Sequence, residues 1–199
     1  MYVTVTELKD DLYNTDMHKY LIKNFDSKTL SADTKIYFLD LYEKLGLYRT
    51  LQFLHRCRLH KNKVKLLECA YVQQALPLLK QTEHEETIKQ IWELIVKKWQ
   101  NNLDYNPDFY ALIYKAGLQN RSNLYVLPKY IRLVVSSVLN IYEHSLYIYQ
   151  TYKDLMTSCD IIQRIDDITP PFSVDELQIK FEEQFIIFCK KGQFYKLKF

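Results

Sequence analysis

The side chains of this sequence that could do chemistry are its histidines, cysteines and paired carboxylates, and their spacing narrows what that chemistry is. Cysteine occurs as Cys57, Cys69, Cys159 and Cys189, with no C-x-x-C pair among them. The one grouping with metal-ligand character is Cys57 with His60, beside His55, and a zinc site needs a better-defined set of four. In a reducing compartment these are ordinary, partly buried thiols. His84 stands among glutamates in the first turn of a helix, where solvation is the ordinary outcome. His144 lies beside Glu143 and reads as a seam histidine. Asp166-Asp167 precedes a proline turn and reads as loop solvation ahead of acid–base chemistry. No G-x-S-x-G, Walker loop or Rossmann glycine pattern is present. The chain is therefore expected to be non-enzymatic, with no metal and no cofactor.

The densest charge lies in His55, Arg56, Arg58, His60, Lys61, Lys63 and Lys65. Cations at a helix end favour the helix dipole. They would equally suit an acidic peptide or nucleic-acid phosphates. The tail residues Phe194, Tyr195, Lys196, Lys198 and Phe199 could stack on bases or dock on another chain.

Composition limits the classes further. Of 199 residues, 48% are hydrophobic and 15% aromatic, as in a folded domain. Only 3 Gly and 5 Pro favour helices over a turn-rich β fold. The 17 Tyr suit half-buried seams and interfaces. The charge of +3 comes from 27 basic and 24 acidic residues, too even to mark a nucleic-acid binder by itself. No apolar run is long enough for a membrane span, and MYVTVTELKDD is not a signal peptide. A nuclear or cytoplasmic location is expected.

The elements that must position these residues are helices. Weak periodicity predicts one over 6–25, and Asp33 caps another from Thr34 to Leu45, stopped by Gly46. Leu47–Leu59 follows, with Leu47, Leu51, Leu54 and Phe53 inward. Further helices begin at Val64 and span Tyr71–Leu79, the latter interrupted by Pro77. Ile88, Ile91, Trp92, Ile95 and Trp99 share one face of a helix near 83–100, with Trp92 and Trp99 as anchors. Lys89, Gln90, Glu93, Lys97 and Lys98 lie on its water side. Thr82 and Glu85 have capping-box spacing. Polar residues 101–107 mark a boundary. A short helix over 108–116 ends at Gly117. The longest helix runs from Pro128 to Ser158, with Ile131, Val134, Val135, Val138 and Leu139 on an apolar face wide enough to cover a partner. Ser173 and Glu176 cap a last helix carrying Leu177, Phe181, Phe185 and Phe188.

From Leu66 to Trp99 the chain also resembles, without a gap, the N-terminal domain of transcription elongation factor S-II. That helical bundle occurs as well in Elongin A, a Mediator subunit and the integrase-binding domain of LEDGF. The leucine pair is Leu66-Leu67, the isoleucine position is Val72, and the small residue and following leucine are Ala75 and Leu79. Glu83, Glu85 and Glu86 match the acidic cluster. Ile95, Val96, Lys98 and Trp99 match the closing motif. The family glycines are replaced by Tyr71 and Gln73, Arg-Lys-His becomes Lys80-Gln81-Thr82, and Pro77 stands where asparagine is usual.

The resemblance implies a non-catalytic adaptor of the transcription or chromatin machinery, in the nucleus, binding disordered acidic-hydrophobic segments. Its rim would be Lys61, Lys63, Lys65 and Lys80, and its apolar contacts Val64, Leu67, Val72 and Leu79. The alternative is a structural subunit joined to a larger complex through its Tyr/Phe-rich C-terminal helices. The expected architecture is all-α: a small bundle over 1–102, then a second helical region over 103–199 with one long central helix, either packed on the first or separate from it.

Overall fold

A short antiparallel ladder opens the chain. In the computed structural model, which describes residues 1–4, 23, 31, 33–56, 61–80, 82–103, 106–119, 121–143, 147–166 and 168–191, strand β1 (Tyr2–Thr4) pairs with β2 (Lys35–Tyr37). Tyr2 faces Tyr37, Val3 faces Ile36 and Thr4 faces Lys35. The alternation sends Val3 and Ile36 into the core and leaves both tyrosines outside. The helix expected from Thr34 therefore begins only at Phe38, because pairing with β1 holds residues 35–37 extended.

The rest is helical, as expected. The helices are α1 (Phe38–Arg56), α2 (Lys61–Ala75), α3 (Glu85–Gln100), α4 (Pro107–Lys115), α5 (Arg121–Leu124), α6 (Lys129–Tyr142), α7 (Ile148–Gln163) and α8 (Val174–Lys191). No described helix is long and apolar enough to cross a membrane. Residues 6–22, Cys57–His60, His144 and the tail 193–199 lie outside the described residues, as does the side chain of His55.

Gly46 interrupts α1 as expected: two helical segments meet there across a kink. At φ 74° and ψ 169° it occupies backbone space that side chains avoid, and its carbonyl accepts from the Thr50 hydroxyl at 2.8 Å. Residues 61–75 form one helix where two starts were expected. Pro77 then opens a 3₁₀ turn, Leu76–Leu79. The expected Thr82–Glu85 capping box is not made. The Thr82 hydroxyl is spent upstream on the Leu79 carbonyl at 2.7 Å, and His84 is the residue that precedes α3. The second box does form: the Ser173 amide donates to Glu176 at 2.6 Å, and the Glu176 amide donates to the Ser173 hydroxyl at 3.1 Å.

The largest departure is the predicted helix from Pro128 to Ser158. It breaks after Tyr142, and α7 runs back along α6, so that the Ser158 hydroxyl donates to the Tyr130 carbonyl at 2.8 Å. The broad apolar face is thereby used inside the molecule, where Val134, Val135, Val138, Ile141, Ile148 and Leu155 are fully buried. Helix α2 packs against α3, α6, α7 and α8, so residues from both sides of the 102/103 turn share one continuous core. The boundary expected there divides no core.

The break is held by buried charges. The Lys65 ammonium lies 3.0 Å from the Glu68 carboxylate, and neither side chain reaches solvent. Lys65 also donates to the Asn140 carbonyl at 3.5 Å, the Trp99 indole to Ile141 at 3.0 Å, and Lys98 to Tyr142 at 2.9 Å. These are terminal carbonyls of α6, past the end of its regular ladder, and Asn140 also accepts from the Glu143 amide at 3.3 Å. Glu68 accepts from the Tyr147 amide at 2.7 Å, at the start of α7. Cations thus meet the negative end of one helix and an anion the positive end of the next. Burial pushes the Glu68 carboxyl above the ordinary range, opposed by Lys65 and by the Tyr147 and Ile148 amides.

Two stability measurements follow, both by urea denaturation. Lys65→Met or Glu68→Gln alone should each lose about 3–5 kcal/mol, since each leaves a buried partner uncompensated. The double variant should be less destabilised than the sum of the two, with a coupling of about 1–3 kcal/mol. Gly46→Ala should cost about 1–3 kcal/mol through backbone strain, with no side-chain clash to add to it.

Candidate binding groove

The helix that forms one wall of a surface groove is set by local chemistry. Asn106 caps α4 by accepting from the Asp108 amide at 3.0 Å, and Pro107 occupies the first turn. Gly117, at φ 67°, turns the chain out of the helix, and Asn123 donates to its carbonyl at 2.6 Å. The Asn106 amide donates to the Tyr142 hydroxyl at 3.0 Å, which ties α4 to the end of α6. The Phe109 and Tyr142 rings lie parallel, 3.5 Å apart, and Tyr110 meets both edge-on. On its other side the site depends on the buried junction, because Lys98 sits 3.7 Å from the Tyr142 ring centre.

Between α4, α5 and α6 this packing leaves an open groove of about 700 Å³. Its floor is apolar, built from Phe109, Ile113, Leu124, Leu133 and Leu139. Tyr110 and Tyr125 stand at its edges, 49% and 74% exposed. Along α6, Arg132, Ser136, Asn140 and Glu143 recur at helical steps and put a polar line beside the apolar floor. The Arg132 guanidinium lies 5.0 Å over the Tyr125 ring. Asp154 of α7 contributes a half-buried carboxylate that accepts from Gln150 at 2.7 Å. Burial raises its pKa, while the Gln150 hydrogen bond and Lys153 act in the other direction. The combination of apolar floor, aromatic edge and a few directed polar groups suits binding more than bond-making.

The residues expected to form a peptide cleft are not arranged as one. Val64, Leu67, Val72 and Leu79 are fully buried, since α2 and the turn that follows it are packed among α3, α6, α7 and α8. Lys65 is buried in its ion pair with Glu68 and belongs to no rim. Lys61, Lys63 and Lys80 do reach the surface. Trp92 and Trp99 lie in the core, with the Trp92 indole donating to the Cys69 carbonyl at 3.1 Å. Lys98, placed on the water side by periodicity, is 1% exposed.

The chemical candidates fare similarly. His84 sits 3.3 Å from exposed Glu83. Cys69, Cys159 and Cys189 are buried thiols, and burial pushes Cys159 to about 11 and Cys189 to about 12, away from thiolate reactivity. Among the described residues no His, Cys, Asp or Glu group is placed to hold a metal. The groove residues Phe109, Tyr110, Ile113, Arg132 and Asp154 were missed as a site. The available signal was the Asn-Pro start followed by Phe109, Tyr110, Ile113 and Tyr114, an aromatic face too wide for a short helix to bury.

Asp154 gives the groove a pH signature. Its folded pKa is raised above the ordinary 3.8, so its contribution to stability is present below that value and is lost as pH rises through the folded value. Asp154→Asn should therefore raise the melting temperature at pH 7, and the gain should vanish below the ordinary aspartate range. Equal gains at both pH values would contradict the assignment.

No protein-family model, curated protein or solved structure matches this chain.

Proposed function

We propose that this chain is a non-catalytic protein-interaction module that holds a short segment of a partner in the groove between α4, α5 and α6. The observation that carries this reading is the open apolar floor of about 700 Å³, edged by exposed Tyr110 and Tyr125. Solvated apolar surface beside tyrosines is where burial by a partner yields the most binding free energy. A disordered segment that orders on contact fits a groove of this size better than a large rigid partner does. Burial of Cys159 and Cys189, which raises both thiol pKa values, argues against thiolate chemistry at those two positions. The resemblance of residues 66–99 to the S-II domain supports a transcription or chromatin setting, and with it a nuclear location. The structural-subunit reading loses the feature that favoured it, because the apolar face of α6 and the phenylalanines of α8 are consumed within the fold.

Peptide display against the intact chain tests this. Selected segments should lose affinity by at least about tenfold on Ile113→Glu and on Tyr125→Ala. Tyr125 is exposed, so its variant separates loss of binding from loss of folding. Charge reversal at Lys61 and Lys63 should leave affinity unchanged. The opposite pattern would move the site to the start of α2.

A further inference from the structure

The charge inside the groove specifies what its occupant must carry. Three side chains that carry charge at neutral pH line it: Arg132, Glu143 and Asp154. The guanidinium of Arg132 is stacked over Tyr125. Glu143 accepts from the Tyr147 hydroxyl at 3.2 Å. Asp154 has a neutral partner, the Gln150 amide, and no ion-pair partner among the described residues. The charged side chains of the lining therefore sum to one negative charge, and a half-buried carboxylate has an amide as its hydrogen-bond partner, with the Lys153 charge acting at longer range.

That arrangement selects among occupants. A wholly apolar segment laid along the floor would strip the remaining water from Asp154 and return nothing, which is unfavourable for a charged group. An acidic segment would add repulsion to that cost. A cation brought against Asp154 removes the penalty and supplies a charge-assisted hydrogen bond. The walls are also suited to a cation. The rings of Tyr142 and Tyr125 already receive Lys98 at 3.7 Å and Arg132 at 5.0 Å from within the molecule. Between the two basic side chains, the planar, weakly hydrated guanidinium matches an aromatic slot with a carboxylate better than an ammonium does.

We infer that the groove recognises a partner segment through an arginine flanked by apolar residues, with Asp154 receiving the guanidinium and the aliphatic neighbours covering Ile113 and Leu133. This rests on the groove being the binding site. It reverses the charge of the partner implied by the S-II resemblance: the occupant is basic and hydrophobic, not acidic and hydrophobic.

The test uses the full chain and three peptides, acetyl-Ser-Leu-X-Leu-Ser-amide, in which X is arginine, citrulline or leucine. Citrulline keeps the shape of arginine and removes its charge. Affinity is read from amide chemical-shift changes during titration. The arginine peptide should shift groove residues and bind about tenfold more tightly than either of the others. Asp154→Asn should bring arginine and citrulline to within about twofold, without altering which residues shift. Ile113→Glu should weaken all three. Equal binding of the three peptides at the groove overturns the arginine assignment and leaves the groove standing. Shifts confined to other surfaces overturn the arginine assignment, and if display-selected segments also ignore Ile113→Glu and Tyr125→Ala the groove reading falls with it.

Discussion

Folding one apolar helical stretch back on itself inside a core creates a debt of hydrogen bonds, and the Lys65–Glu68 pair is the centre of the arrangement that settles it. Ending α6 at Tyr142 leaves terminal carbonyls past the end of its regular ladder, and starting α7 at Ile148 leaves amides without acceptors. The Lys65, Glu68 and Lys98 side chains lie out of reach of water. Lys65, Lys98 and Trp99 reach the carbonyls of Asn140, Tyr142 and Ile141, and Glu68 reaches the Tyr147 amide. Neither lysine could be buried without these acceptors, and the helix break could not be buried without the lysines. The two requirements answer each other.

The rest of the architecture hangs on that junction. Helix α2 must be central for Lys65 and Glu68 to reach both helix ends, and its other faces then meet α3, α7 and α8. This explains why a surface cleft built on Val64, Leu67, Val72 and Leu79 does not exist: those side chains are what the other helices pack on. The junction also reaches the groove. Tyr142 gives its carbonyl to Lys98, its ring to Phe109 and its hydroxyl to the Asn106 amide, so the same residue that ends α6 also seats α4. The groove is thus a consequence of how the core closes, with α4 standing away from α6 on a tyrosine support.

Periodicity determined a good deal unaided. The inner face of α3, from Ile88 to Trp99, is buried as its three- and four-residue spacing requires. The phenylalanines of α8, the Ser173–Glu176 box, the break at Gly46 and the stop at Gly117 were legible because each rests on residues within a few positions of one another. The all-α class followed from the same local signals.

Tertiary structure decided whatever depends on distant partners. A helical stripe from 131 to 156 reads as one long helix, because nothing within it announces that Lys65, Lys98 and Trp99, tens of residues upstream, will accept its premature end. Lys98 looks solvated for the same reason: its acceptor is the Tyr142 carbonyl, 44 residues away in sequence. Strand β2 needs β1 beside it to stay extended. The groove needs α4, α5, α6 and α7 brought together before Asp154 and Ile113 share a surface. Local spacing sets which face of a helix is apolar. Only the packed fold sets what that face touches, and hence which polar groups can be buried and which apolar ones are left for a partner.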